Sequence, residues 1–393
     1  MTNKNRWLLP EGIEEILPPH AAQVEKLCRS ILDLFNSWGY ELVMPPLIEY
    51  LDSLLTGTGE DLDIQTFKLT DQLSGRSMGL RADMTPQVAR IDAHILKSDF
   101  PTRLCYLGTV VHTRPGGHGG TRAPLQVGAE LHGHAGVESD AEILCLMLKT
   151  IQSSGINNIH VDLGHVGIYR GLVKDLDLSD EHESLLFDAL QRKAKAELEE
   201  MLNAWGTDED TSQMLLSLNE LNGDISILEQ ARVSLAAAGA EVIACIDELE
   251  KIANLAKRQV KNAPLYFDLA ELRGYQYYTG FTFASYLPGE GEGIAFGGRY
   301  DDVGAAFGRA RPATGFSTDV KKLFSLSHST EDSKSAIFAT HSEVPGLTEF
   351  VESLRAQGEI VIFELPGQAG SAKDMNCDRK LELRKGKWAV TSL

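Results

Sequence analysis

The segment from residue 170 to residue 260 differs in composition from the sequence on both sides of it. It is rich in Leu, Ala, Glu and Lys and has few β-branched runs, a composition that favours helices. Before it, RLCYLGTVVHT and APLQVGAELHG are typical of strands joined by turns, and strand-like sequence resumes after it in PLYFDLAEL and YYTGFTFASYL. The chain is therefore predicted to form one sheet domain that a helical insertion interrupts.

The strand-like sequences come in hairpin-linked groups with helices between the groups, rather than in a regular alternation of strand and helix. This order predicts an α+β fold with a mixed, largely antiparallel sheet flanked by helices. Helices are expected over 19–38, over 85–96 with Thr85 as the N-cap, over 139–153 and around 315–326.

These changes along the chain predict three parts. Residues 1–169 and 261–328 would form the core that contains the sheet, and residues 170–260 would form the helical insertion. Residues 329–393 would form a small αβ appendage, because a helix-like stretch, PGLTEFVESLRAQG, lies between the strand-like AIFAT and EIVIFEL.

Charge and cysteine usage restrict the partners and the compartment. The 393 residues include 37 Lys and Arg against 56 Asp and Glu, a formal net charge of −19, which disfavours nucleic acid and anionic membranes as partners. The five cysteines contain no Cys-x-x-Cys pair and predict neither a disulfide framework nor a thiolate zinc site. The sequence contains neither an apolar signal segment at its start nor a long apolar run, so a cytoplasmic location is expected.

Two local features invite a binding site, and each also has an ordinary structural explanation. Histidines cluster at His112, His118, His132 and His134, and the last two would share one face of a strand, a spacing that metal sites use. No third ligand follows from the spacing, so strand and loop histidines are favoured over a metal site. The glycine-rich segment 289–293 lacks the G-x-G-x-x-G spacing and carries two glutamates that would repel phosphate, so a hairpin loop is favoured over a phosphate site.

A set of polar side chains within otherwise apolar strand sequence is more informative. Its members are Arg81, Asp83, Thr85, Gln126, Glu130, Arg273, Tyr277 and Tyr278. Burial of such groups is costly unless they are partnered. If they converge, they would form a cup for a zwitterion, with carboxylates for an ammonium group, an arginine for a carboxylate and tyrosines for a flat ring. The alternative, that they pair with one another as structural ion pairs, stays equally open at this point.

The segments LRADMTPQVAR, LQVGAE, ELRGYQYYTG, AFGGRYDD and ATGFSTDVKKL occur in an order that resembles the catalytic core of class II histidyl-tRNA synthetases. The resemblance covers residues 8–326 and implies an antiparallel sheet flanked by helices. It also implies that the protein dimerises through this core and that it has a histidine site. The resemblance assigns Asp83 and Thr85 to the α-amino group, Gln126 and Arg273 to the carboxylate, Glu130 and Tyr278 to the imidazole, and Tyr277 to the wall.

The chain departs from that family where the family binds ATP. His112 stands where an arginine is expected in the second motif, and Arg114 could replace that arginine only if the alignment slips. In the third motif Lys322 stands at an arginine and Asp319 at a glycine. Lysine lacks the planar, bidentate guanidinium, and an added carboxylate would repel a triphosphate, so adenylate chemistry is expected to be lost.

A synthetase core with altered ATP positions, a retained histidine cup and a short tail is similar to the family of ATP phosphoribosyltransferase regulatory subunits. The tail from residue 324 carries eight Lys and Arg against ten Asp and Glu and predicts no basic tRNA-binding face. The family resemblance implies a non-catalytic subunit, without metal or cofactor, that activates a separate short catalytic subunit and mediates feedback inhibition by histidine. It also implies a homodimer within a larger hetero-oligomer. The alternatives are a divergent histidine-activating enzyme and a free-standing histidine sensor.

Overall fold

The computed structural model describes residues 7–57, 60–116, 120–176, 178–261, 265–275, 277–327 and 335–393. The contacts divide the chain into two compact units, 1–328 and 329–393. Within the described ranges, no helix combines the length and the apolar composition needed to cross a membrane.

The strands of the first unit build one large and one small sheet. They are β1 (Glu41–Leu42), β2 (Ile48–Tyr50), β3 (Phe67–Thr70), β4 (Ser77–Leu80), β5 (Thr102–Thr109), β6 (Leu125–His132), β7 (His160–His165), β8 (Asn222–Gly223), β9 (Leu265–Asp268), β10 (Phe281–Tyr286), β11 (Ala295–Arg299) and β12 (Ala313–Asp319). The large sheet has the order β1-β5-β6-β12-β11-β10-β7-β9-β8, and the small one has the order β2-β4-β3. In the large sheet β1 pairs with β5 and β7 with β9 in parallel, and the other neighbours are antiparallel. The predicted α+β fold with a largely antiparallel sheet is therefore confirmed.

The helices of the first unit pack around the large sheet. They are α1 (His20–Ser37), α2 (Leu51–Leu55), α3 (Glu60–Gln65), α4 (Thr85–Arg90), α5 (Val137–Ser153), α6 (Val166–Val173), α7 (Asp180–Gln191), α8 (Lys195–Trp205), α9 (Glu209–Leu218), α10 (Ile227–Ser234), α11 (Ala240–Gln259) and α12 (Val320–Leu326). A π-helix, Ile91–Leu96, continues α4, and 3-10 turns occur at Ala236–Ala238 and Val303–Phe307.

One continuous apolar core joins the sheet to the helices after residue 170. Helix α5 buries most of its length, and α11 packs against α5, α6 and β7. Leu198 of α8 and Leu249 of α11 belong to the same buried cluster as Ile143 of α5. On β12, Phe316 faces α1 and its ring packs edge-on against Phe35 with the centroids 5.9 Å apart. Because side chains alternate along a strand, Gly315 and Ser317 point to the opposite face of the sheet.

Two sequence predictions for elements of the first unit are wrong in part. The helix expected around 315–326 begins only at Val320, because residues 313–319 form β12 in the interior of the sheet between β6 and β11. A strand that is covered on both faces lacks the alternation of buried and exposed residues by which periodicity distinguishes a strand from a helix. Thr85 is the first residue of α4 and does not cap it, since its hydroxyl contacts Asp83 and Tyr106 instead.

The second unit is a small αβ fold of its own. It contains β13 (Ala336–Ala339), α13 (Leu347–Ala356), β14 (Val361–Phe363), β15 (Cys377–Arg384) and β16 (Lys387–Ser392). The strand order is β14-β13-β15-β16. Ile337, Val351 and Leu381 belong to a buried cluster that connects α13 to this sheet.

Candidate functional site

A cavity of about 220 Å³ opens on the face of the large sheet that carries Gly315 and Ser317. Six of the seven residues that the resemblance assigns to the histidine site line it. They are Asp83, Thr85, Glu130, Arg273, Tyr277 and Tyr278. The seventh, Gln126, lies directly behind Asp83 and donates its Nε2 hydrogen to Asp83 Oδ1 at 2.7 Å.

The start of α4 orients Asp83 at one end of this cavity. The backbone N–H of Thr85 donates to Asp83 Oδ1 at 3.1 Å, and the hydroxyl of Thr85 lies 3.2 Å from the same oxygen. The side-chain oxygen of Gln126 accepts from the backbone N–H of Met84 at 2.9 Å. Asp83 is thus oriented by three donors, and its carboxylate faces the cavity as a possible partner for an ammonium group.

Glu130 is the most enclosed group of the site, with 1% of its surface exposed. The Tyr106 hydroxyl is hydrogen-bonded to its Oε1 at 2.9 Å, and the Tyr300 hydroxyl donates to its Oε2. Burial raises the pKa of Glu130 to about 8. Gly315 lies opposite it in the register of β6 and β12, and a Cβ at Gly315 would stand 1.5 Å from Glu130 Oε2. Only glycine at this position leaves room for the carboxyl group.

Arg273 provides the positive charge of the cavity. Its guanidinium carbon lies 4.9 Å from the centre of the Phe296 ring, and its backbone N–H donates to Glu271 Oε1 at 2.9 Å. Among the described residues, no ion pair joins Arg273 to Asp83 or to Glu130. Its side chain is therefore available for a carboxylate of a bound molecule, with the aromatic ring beneath it.

Two tyrosines of the turn after Arg273 form the remaining wall. The backbone N–H groups of Tyr277 and Tyr278 both donate to the carbonyl of Gly274, at 2.7 and 2.8 Å, and Gly274 has a φ of +69°, a conformation that favours glycine. The rings of Tyr277 and Tyr300 lie 5.1 Å apart. Among the described residues, no hydrogen-bond partner reaches the buried hydroxyl of Tyr277. This hydroxyl can serve a ligand inside the cavity.

The lining is complementary to a small zwitterion with a flat polar ring. Carboxyl groups of Asp83, Glu130 and Glu271 surround the cavity together with one guanidinium, that of Arg273. Small-molecule sites typically combine aromatic walls with a few oriented polar groups, as here. The chemistry of the lining is that of recognition, in which fixed charges and hydrogen bonds orient a ligand.

Three of the four positions where ATP would bind in a synthetase line a second cavity, of about 700 Å³. His112, Asp319 and Lys322 belong to its lining, whereas Arg114 does not. The ring nitrogen Nε2 of His112 lies 2.9 Å from the carbonyl oxygen of Ala82.

Acidic groups surround the cations of this second cavity. Its carboxylates are those of Glu14, Glu15, Glu290, Glu292 and Asp319, against Lys321 and Lys322. Asp319 accepts from the backbone N–H groups of Leu125 and Lys321 at 3.0 Å each and so caps α12. Nζ of Lys322 donates to the carbonyl of Gly293 at 3.1 Å. The residues present do not fit a triphosphate, which needs an excess of positive charge.

The prediction that His132 and His134 share one face of a strand is wrong. Strand β6 ends at His132, so His134 does not share a strand face with it. His132 is buried, and burial lowers its pKa to about 4, whereas His134 Nδ1 lies 3.1 Å from the Ser139 hydroxyl. In the described part of the chain no three His, Cys, Asp or Glu side chains are placed to hold a metal ion. His118 lies outside the described residues.

The sequence reasoning missed several polar residues of the site, and three of them contact or adjoin its charged groups. Tyr106 and Tyr300 hold Glu130, and Glu271 lines the cavity beside Arg273. Tyr300 and Glu271 stand inside the segments AFGGRYDD and ELRGYQYYTG, so their place in those segments was a usable signal. Tyr106 belongs to a strand whose alternation alone does not reveal that it reaches Glu130, two positions along the neighbouring strand.

Comparison with known proteins identifies the fold of the first unit. Residues 12–323 match the family model described as histidyl-tRNA synthetase, so the first unit has the histidyl-tRNA synthetase type of fold. A solved structure described as an ATP phosphoribosyltransferase regulatory subunit/histidyl-tRNA synthetase from Bacillus halodurans has a TM-score of 0.83 and 26% identity, and the match covers 94% of this chain and 96% of that one.

The second unit and the whole-chain relatives narrow the class to one family. Residues 334–391 match the model described as the ATP phosphoribosyltransferase subunit HisZ C-terminal domain. ATP phosphoribosyltransferase regulatory subunits from Thioalkalivibrio sulfidiphilus and Pseudomonas paraeruginosa are 56% and 52% identical, and each match covers 100% of both chains. The chain belongs to the family of ATP phosphoribosyltransferase regulatory subunits.

Proposed function

We propose that this chain regulates ATP phosphoribosyltransferase by binding histidine in the cavity lined by Asp83, Glu130 and Arg273. The convergence of these three side chains with two tyrosines in one enclosed space is the observation that carries the proposal. Arg273 would hold the carboxylate of histidine, Asp83 with Thr85 its ammonium group, and Glu130 with Tyr278 its imidazole. Gln126 would act through Asp83, which it orients.

Catalysis would reside in a separate, short catalytic subunit, which this chain would activate. Histidine would bind with different affinity to the more active and the less active arrangement of the complex, because a ligand shifts an equilibrium only by such a difference. A coupling of about 1–3 kcal/mol would change affinity roughly 5- to 150-fold. Such a coupling is sufficient for feedback inhibition of the first step of histidine biosynthesis.

We further propose that the chain forms a homodimer within the larger hetero-oligomer. The segment between β1 and β2 supports self-association, because its large apolar side chains are exposed, with Met44 at 81%. The proposed setting is the cytoplasm, since all five cysteines are unpaired, as a reducing compartment requires.

The decisive experiment measures phosphoribosyl-ATP formation by the short catalytic subunit of the same organism, without this chain, with it, and with L-histidine added. We expect the chain to raise the rate and histidine to lower it only when the chain is present. Arg273→Ala should abolish the response to histidine, whereas Arg114→Ala, an arginine outside the cavity, should keep it. An unchanged rate on adding the chain would contradict the proposal.

Histidine-dependent exchange between ATP and pyrophosphate provides a separate control. The acidic second cavity predicts no turnover by the pure chain, because the carboxylates of Glu290, Glu292 and Asp319 oppose binding of a triphosphate. Clear turnover would identify a histidine-activating enzyme instead.

A further inference from the structure

A continuous chain of hydrogen-bonding oxygens joins the two buried ends of the first cavity. The Thr85 hydroxyl lies 3.2 Å from Asp83 Oδ1 and 3.1 Å from the Tyr106 hydroxyl. The Tyr106 hydroxyl lies 2.9 Å from Glu130 Oε1, and Tyr300 closes the chain at Glu130 Oε2. Thr85, Tyr106, Glu130 and Tyr300 are all buried. Of these, Thr85, Glu130 and Tyr300 also line the cavity.

Counting hydrogens fixes the direction of this chain. Four contacts need four hydrogens, and the hydroxyls of Thr85, Tyr106 and Tyr300 supply one each. The fourth needs a proton on one of the two carboxyl groups, and the burial of Glu130, which raises its pKa, places that proton on Glu130. Glu130 then donates to Tyr106, Tyr106 to Thr85, and Thr85 to Asp83, so that no buried hydroxyl is left without a partner.

The surroundings of Glu130 favour this protonated form in the empty site. Burial is the largest cause that raises its pKa, and the negative charge of Asp83 acts in the same direction. Of the other groups near it, Arg273 and Glu271 line the cavity with opposite charges, and Tyr277 and Tyr278 are neutral, since their pKa values are raised.

Two neighbouring polar groups among the described residues carry no charge that would oppose that proton. His132, whose ring lies 6.2 Å from that of Tyr300, has a pKa lowered to about 4 and is neutral near pH 7. Gln126, behind Asp83, is an uncharged amide.

A ligand that reaches Glu130 must reverse the chain. An imidazole nitrogen that arrives without hydrogen accepts from the protonated carboxyl group of Glu130, whose hydrogen is then no longer available to Tyr106. Tyr106 can then turn its hydroxyl toward Glu130, and Thr85 can turn its hydroxyl toward Tyr106. Asp83 loses the hydroxyl hydrogen of Thr85 and gains acceptor capacity for the ligand's ammonium group.

We propose that the chain Glu130–Tyr106–Thr85–Asp83 couples the two ends of the bound amino acid, so that engagement of its ring at Glu130 strengthens the hold on its ammonium group at Asp83. This inference rests on the proposed function, since it takes histidine as the ligand. Tyr106 is a positioning residue here, because it does not line the cavity and acts through Glu130 and Thr85.

Calorimetry with two ligands tests the coupling in the full-length chain. L-Histidine and 3-(imidazol-4-yl)propionate share the ring and the carboxylate, and the second lacks the amino group. The Kd of the propionate divided by the Kd of L-histidine therefore measures how strongly the site holds the ammonium group. Tyr106→Phe interrupts the chain of hydrogen bonds between Glu130 and Asp83 and should reduce this ratio by about fivefold or more, the lower end of typical coupling. Tyr300→Phe also removes a hydroxyl from Glu130 but lies outside the path to Asp83, so it should leave the ratio unchanged.

Each outcome decides between the alternatives. An unchanged ratio in Tyr106→Phe, or an equal fall in both variants, would overturn the coupling. If Tyr106→Phe does not fold, Glu130→Gln replaces it, because its amide donates permanently to Tyr106 and should also reduce the ratio. Failure of the wild-type chain to bind L-histidine would contradict the proposed function itself, whereas binding with an unchanged ratio in the variants contradicts only the coupling.

Discussion

Among the described residues of the cavity, no carboxylate forms an ion pair with Arg273. Its guanidinium is therefore free to bind the carboxylate of a ligand, and its loss should weaken binding. Arg273→Ala should weaken L-histidine binding about tenfold or more, since hydrogen bonds to charged groups contribute about 1.5–3 kcal/mol. Isothermal calorimetry measures the change, with Arg114→Ala as the control that should bind like the wild type. Equal affinity in the Arg273 variant would place the carboxylate of the ligand elsewhere.

Glu130 makes the stability of the chain depend on pH in an unusual direction. Burial raises its folded pKa from 4.5 to about 8. Between these values the unfolded chain loses the proton and the folded chain keeps it, so the group lowers the free energy of unfolding by roughly 1.4 kcal/mol per pH unit. Below the unfolded pKa this penalty is absent, and above the folded pKa it is complete.

Glu130→Gln removes this titration and should gain stability relative to the wild type as the pH rises from about 5 to about 8. Urea denaturation at several pH values measures the difference. Glu290→Gln, at an exposed glutamate, should follow the wild type at every pH. A constant difference between Glu130→Gln and the wild type would mean that Glu130 is ionised in the folded chain.

Sequence reasoning reached the individual residues of the site but not the contacts between them. Asp83, Glu130 and Arg273 stand out because charged residues in apolar strand sequence need a reason to be there. Tyr106 does not stand out, because a tyrosine in a strand is ordinary, and its role follows only from the pairing of β5 with β6.

At the scale of elements, β12 determines the shape of the cavity. Gly315→Ala would bring a Cβ to 1.5 Å from Glu130 Oε2 and 2.9 Å from the carbonyl of Ala129, so either the carboxyl or the strand must move. We expect a loss of about 1–3 kcal/mol in the free energy of unfolding, the usual cost of overpacking, together with weaker histidine binding. Gly291→Ala, where a Cβ meets nothing within 4 Å, is the matched control. Thermal unfolding and calorimetry measure both effects, and equal behaviour of the two variants would contradict this account.

The same strand shows where sequence patterns no longer suffice to identify a helix or a strand. Amphipathic α1 and α13 are predicted correctly, because one face of each is polar and the period is visible. Strand β12 has no exposed residue, since α1 covers one side and the cavity residues cover the other, so its polar residues do not mark a solvent face. Its identity as a strand depends on its neighbours β6 and β11, which lie outside the local sequence.

At the scale of the whole molecule, the proposed histidine site lies within one unit. All residues that line the cavity lie within 1–328, and the unit 329–393 has its own buried cluster around Val351. A chain truncated to residues 1–327 should therefore remain folded and bind L-histidine with a Kd within about twofold of the full chain, a change of less than about 0.5 kcal/mol. Circular dichroism checks the fold and calorimetry checks binding. If the truncated chain folds but does not bind L-histidine, the second unit contributes to the site. If it binds normally but no longer activates the transferase, the second unit contacts the catalytic subunit.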